Sequence, residues 1–129
     1  MDLEQLAAAM PFAVALGVRL SSAEPDRVEG TMDWAPERCT TGDALHGGAV
    51  MAMADTLGAV CAFLNLPPGA GTSTIESKTN FFRGVRAGTV TAVTRPLHVG
   101  RTTIVVQTEV RNEEGKLVAM TTQTQAVLS

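Results

Sequence analysis

The sequence predicts an α+β domain in which a long antiparallel sheet wraps around one buried helix. Residues 46–64 (HGGAVMAMADTLGAVCAFL) carry apolar or small side chains on every face, the pattern of a helix enclosed on all sides. Four later segments, residues 72–82, 88–99, 102–112 and 117–128, are rich in Thr, Val and Ile. A chain of 129 residues with 45% hydrophobic side chains supports one core and one domain, residues 1–129.

In chain order, residues 3–16 (LEQLAAAMPFAVAL) read as a helix or two short helices interrupted near Pro11, because proline removes a helical hydrogen bond and clashes with the preceding turn. Residues 18–22 and 27–34 alternate loosely and read as two short strands joined at Glu24-Pro25-Asp26. Residues 35–44 form a polar loop holding Pro36 and Gly42. The apolar helix follows and ends at Asn65-Leu66-Pro67-Pro68-Gly69. The Thr/Val-rich segments are divided by turns at Gly84, Gly100 and Glu114-Gly115, so four strands in a row imply an antiparallel meander. There is no internal repeat and no linker.

Composition narrows the function. A net charge of −3 argues against a broad nucleic-acid surface, though a few Arg and Lys can still grip a small phosphorylated ligand. Cys39 and Cys61 have no close spacing, so neither a zinc pattern nor a disulfide framework is present, and no metal or redox cofactor is expected. The N-terminal stretch MDLEQLAAAM has acids where a signal peptide has bases. Residues 44–66 are long enough to span a bilayer, but a central Asp and three glycines weigh against that. The expectation is a cytoplasmic protein with no membrane partner.

Asp55 is the only formally charged side chain between Asp43 and Glu76. Its neighbours are apolar or small, so the sequence predicts a buried carboxylate, costly unless it is paired, solvated or neutralised. Gly47-Gly48 opens the same helix and offers bare backbone N–H groups at its positive end. An acid and a free helix N-terminus suit hydrolysis of an activated carbonyl. The N–H groups meet the charge growing on oxygen, and the carboxylate serves as general base or as nucleophile.

The stretch LHGGAVMAMADTLGA, followed by Thr/Val-rich strands, resembles the hotdog-fold acyl-CoA thioesterases of the phenylacetate-pathway (PaaI) type. The resemblance covers nearly the whole chain. It implies a hotdog fold, an acyl-CoA substrate and hydrolysis to the free acid and coenzyme A, with coenzyme A part of the substrate rather than a cofactor. It implies Asp55 as the catalytic acid, Gly47 as the glycine whose N–H polarises the thioester carbonyl, His46 as a positioning residue and Thr74 as a holder of the attacking water. Gly48 and Thr56, flanking Gly47 and Asp55, join the substrate-binding set. Thr40 stands where relatives often carry Asn or Gln, six residues before the histidine; its hydroxyl is shorter and offers fewer donors. Coenzyme A carries several phosphate charges, and Arg83 and Arg86 are the candidates to meet them.

Helix rise adds a constraint. Gly47 and Asp55 lie eight residues apart, about 12 Å along an axis rising about 1.5 Å per residue. They cannot both touch one carbonyl carbon from the same chain, whereas two antiparallel copies of the helix can present one of each. The expectation is therefore a homodimer sharing its sites. This agrees with the family, whose dimers commonly pair into homotetramers. Plainer roles stay open: Asp55 as a structural acid, the glycines for close packing, Thr74 as an ordinary strand residue. Two other functions also stay open, a hotdog hydratase/dehydratase and an acyl-CoA-binding regulatory module without catalysis.

Overall fold

The computed structural model describes residues 2–129. Two short helices, α1 (Leu3–Ala8) and α2 (Pro11–Leu16), open the chain, divided as Pro11 demands. Asp2 caps α1 with a reciprocal capping box to Gln5. Next come β1 (Arg19–Glu24), β2 (Arg27–Asp33), two single 3₁₀ turns (Pro36–Arg38 and Thr41–Asp43) and the long helix α3 (Gly47–Leu64). Four strands complete the chain: β3 (Gly71–Phe81), β4 (Thr89–Val99), β5 (Thr103–Arg111) and β6 (Leu117–Leu128).

The six strands form one antiparallel sheet in the order β1-β2-β4-β5-β6-β3. The α+β architecture is the predicted one, a long sheet curled over one helix. The four-strand meander is corrected. Only β4, β5 and β6 run as neighbours, while β3 pairs with β6 at the far edge and β4 pairs with β2. Residues 82–88 carry the chain across. Leu45 N–H bonds the Val85 carbonyl, which ties this crossover to the start of α3, and Trp34 N–H bonds the Gly88 carbonyl.

Side chains alternate across the sheet, and the face toward α3 holds Val28 and Met32, then Val90 and Ala92, then Ile104, Val106 and Val110. They close on Ala49, Val50, Met53, Leu57, Val60 and Cys61 of the helix in one core. Helix α3 is long and apolar enough by composition to cross a membrane, and the fold uses it as its core helix. It is not enclosed on all sides, which corrects the prediction. Gly48, Met51, Asp55 and Phe63 lie exposed along one stripe, with Ala52 and Ala59 half-buried between them. Because that stripe is itself mostly apolar or small, composition did not distinguish it from the core face.

A row of threonines crosses the sheet beneath the helix. Thr94, Thr108, Thr121 and Thr79 are successive register partners on β4, β5, β6 and β3. The hydroxyls of Thr94 and Thr108 lie 2.6 Å apart, and those of Thr121 and Thr79 lie 2.7 Å apart. Thr94 and Thr108 are fully buried, so each hydroxyl depends on the other. Thr108→Val should cost about 1–2 kcal/mol by stranding the Thr94 hydroxyl, and Thr94→Val with Thr108→Val together should recover most of it. Denaturant unfolding of the two single variants and the double variant checks this.

Candidate active site

The site is built on three elements: α3, the edge strand β3, and β6 between β3 and the rest of the sheet. Helix α3 begins at Gly47 because His46 caps it. The His46 Nδ1 accepts the Gly48 N–H at 2.8 Å, and the His46 carbonyl accepts from Ala49 and Val50. The Gly47 N–H has no hydrogen-bond partner among the described residues. A Cβ at Gly47 would stand 3.2 Å from Phe81 Cζ, so the phenyl ring already occupies the space a side chain would need. His46 is thus held as a cap by its own ring nitrogen, and Gly47 is the donor left open at the helix start.

Asp55 lies two turns along and is exposed, not buried as predicted. It forms no salt bridge within the described residues. Its Oδ1 accepts a 2.6 Å hydrogen bond from Gln123 Nε2. That same nitrogen lies 3.3 Å from Thr74 Oγ1, and Gln125 Nε2 donates to Thr74 Oγ1 at 2.7 Å. Thr72 joins the group, its hydroxyl 3.1 Å from Gln125 Oε1. Asp55 and Thr74, 19 positions apart in sequence, are bridged by one amide nitrogen.

The remaining predicted residues divide. Thr40 sits in the loop before α3, its N–H bonded to the Ala44 carbonyl and its hydroxyl without a partner among the described residues. Arg83 and Arg86 lie on the crossover beside that loop and are exposed. Each gives its Nε to a backbone carbonyl, of Leu117 and of Gly42, and neither meets a carboxylate. They stand at the Gly47 end of the helix. Thr56 is buried, and its hydroxyl donates to the Ala52 carbonyl at 2.8 Å. One step round a helix is about 100°, which turns the residue after Asp55 into the core. No cluster of metal-ligating side chains occurs among the described residues. The Cys61 thiol is pushed up to about 11 by burial and stays protonated at neutral pH.

Gln123 and Gln125 were not foreseen. Both are 1% exposed and point at the helix. The available signal was register: in TTQTQAV the inward positions of β6 fall on Thr121, Gln123 and Gln125, polar residues where a core face wants apolar ones. Gly58 explains how Gln123 fits. A Cβ there would collide with Gln123 Oε1, so the helix is bare where the amide lies across it.

Beside this network an apolar cavity of about 360 Å³ is lined by Leu6, Ala9, Met10, Ala59, Phe63 and Thr72. Ala59 is one turn beyond Asp55 on the same face. A larger cavity of about 600 Å³ between the two N-terminal helices and β1 has none of the polar network in its lining.

A family model of the thioesterase superfamily matches residues 42–119. A mutant thioesterase of Pseudomonas aeruginosa, known from its crystal structure, is 31% identical and superposes with a TM-score of 0.93 over 99% of this chain and 94% of its own. A thioesterase of Haemophilus influenzae is 32% identical, with a TM-score of 0.92 over 100% of this chain and 92% of its own. The 1,4-dihydroxy-2-naphthoyl-CoA hydrolase of Escherichia coli is 31% identical over 88% of this chain and 83% of its own.

Gly58→Ala tests the packing of Gln123. Alanine in a helix is normally better than glycine by about 1 kcal/mol. Here thermal unfolding should show a lower Tm, and adding Gln123→Ala should restore it by removing the colliding amide.

Proposed function

This chain belongs to the thioesterase superfamily, and we propose that the thioester it hydrolyses is an acyl-CoA, with Asp55 as the catalytic carboxylate and the Gly47 N–H as the oxyanion donor. Membership makes it a thioester hydrolase with a hotdog fold. The observation that carries the finer reading is the pair of unspent groups on α3: a carboxylate held by one oxygen only, and a helix-terminal N–H with no partner.

In the hydrolysis, the thioester carbonyl oxygen rests on the Gly47 N–H at the positive end of the helix. As general base, Asp55 takes a proton from water while the water oxygen bonds to the carbonyl carbon. The C–S bond then breaks, the thiolate of coenzyme A regains a proton from the carboxyl, and the acid leaves. As nucleophile, the same carboxylate bonds the carbonyl carbon, expels the thiolate and forms an anhydride that water opens. Thr74 faces the water in either route. The acyl group fills the apolar cavity beside Ala59, and Thr40, Gly48, Arg83 and Arg86 serve the thioester and coenzyme A end, the arginines through phosphate.

The reading requires two copies of the chain. Strand β3 is an eleven-residue edge with one side unpaired and nearly every residue exposed, the kind of edge that pairs with another strand. Antiparallel pairing of two β3 edges across a two-fold axis brings two α3 stripes together, Gly47 of each toward Asp55 of the other. The proposed assembly is a homodimer on this ground, and the family resemblance suggests that two such dimers pair into a tetramer. A cytoplasmic site of action suits a coenzyme A substrate.

Asp55→Asn should lower turnover of a panel of acyl-CoAs by at least about a hundredfold with the fold intact, read as release of free thiol. A folded Asp55→Asn enzyme of normal rate contradicts the assignment. Ala59→Phe, which fills the cavity, should lower kcat/KM at least about tenfold for acyl groups large enough to enter it and spare acetyl-CoA. An equal effect on both substrates would place the acyl group elsewhere.

A further inference from the structure

Gln123 is bonded in a way that packing alone does not explain. It is 1% exposed, and its Oε1 is buried with no hydrogen-bond partner among the described residues. Turning the amide over would set that oxygen against Asp55 Oδ1 at 2.6 Å, oxygen on carboxylate oxygen, so the nitrogen must face the acid. The side chain therefore leaves one buried acceptor unsatisfied in order to donate to Asp55, a cost that a methionine of similar shape would avoid.

Thr74 is bonded with equal direction. Its oxygen receives the amide nitrogens of both Gln123 and Gln125. A hydroxyl has two acceptor positions and one proton. With both acceptor positions taken, its proton has to point away from the two amides, and the residue lies exposed on the edge strand.

We propose that Gln123 and Gln125 are positioning residues of the reaction: Gln123 holds Asp55 Oδ1 and leaves Oδ2 as the working oxygen, and the two amides together make the Thr74 hydroxyl an obligate donor toward the attacking water. This rests on the role given to Asp55 above. The water oxygen accepts the Thr74 proton in a hydrogen bond and gives its own proton to Oδ2, which leaves a lone pair for the carbonyl carbon. Thr74 cannot accept a proton from the water, so the path to the carboxylate is the one left. Oδ2 has no hydrogen bond among the described residues, consistent with its being kept for this.

The test compares kcat, KM and thermal unfolding for the wild type, Gln123→Met, Gln125→Met and Asp55→Asn on one acyl-CoA that the wild type hydrolyses. Gln123→Met removes the donor and the orphaned acceptor together. It should unfold at or above the wild-type Tm and lose about ten- to a hundredfold in kcat, the scale for a supporting group, with KM nearly unchanged. Gln125→Met should likewise lower kcat and leave KM nearly unchanged. Gln123→Glu keeps the shape and serves where the Met variant does not fold. It too should lose kcat, since it sets an acceptor where Asp55 Oδ1 needs a donor. A kcat equal to the wild type's in the folded Gln123 variant overturns the inference, as does a loss of rate that vanishes when scaled to the folded fraction. Asp55→Asn separates the failures. If it is inactive and Gln123→Met is normal, the positioning role alone is wrong; if it is fully active, the role of Asp55 is wrong and this inference falls with it.

Discussion

The rise of an α-helix keeps Gly47 and Asp55 about 12 Å apart, and the rest of the structure depends on that distance. In the proposed reaction, neither end of α3 can finish the chemistry alone. The helix start has an open N–H and no acid, and the middle has an acid and no oxyanion donor. The stripe Gly48-Met51-Asp55-Phe63 and the edge of β3 are both exposed, and in the proposed dimer a second copy completes the site on that surface. The proposed dimer also accounts for an exposed carboxylate in the single chain: there a partner would cover it, and its desolvation would belong to assembly rather than to folding.

Around that acid the fold accepts costs that a core built for stability alone would avoid. A buried glutamine keeps an unsatisfied oxygen, and Gly58 gives up helix propensity to make room for it. Local rules broken without a structural gain tend to mark function. The threonine row across the sheet is a contrast: it is equally polar and buried, but its hydroxyls are paired, so it asks for no functional explanation.

Much of this was legible in the sequence. Helix α3 announced itself by length, by Gly47-Gly48 at its start and by the prolines after it, and the bounds of β6 follow from period-two patterning between turns. The position of β3 was not legible. Consecutive strands usually pair, and nothing in residues 82–88 says that they cross the sheet rather than turn a hairpin. The exposure of Asp55 was hidden because its stripe is otherwise apolar or small, and such a stripe looks like core from composition. Thr56 follows Asp55 in sequence, and one helical step of about 100° turns its side chain to the core face. Gln123 and Gln125 were passed over as polar strand residues, though alternation along β6 put them inside.

Subunit complementation tests the shared site most directly. Asp55→Asn chains are mixed with chains carrying Gly47→Val, each nearly inactive alone, and native mass measurement of tagged subunits confirms that mixed dimers form. A mixed dimer places both defects in one site and leaves the other with an intact glycine and an intact acid. Equal mixing should therefore restore about a quarter of wild-type activity, given a symmetric two-site dimer. If mixed dimers form and activity stays at the level of the parents, each site is built from one chain, and the division of labour between Gly47 and Asp55 is wrong.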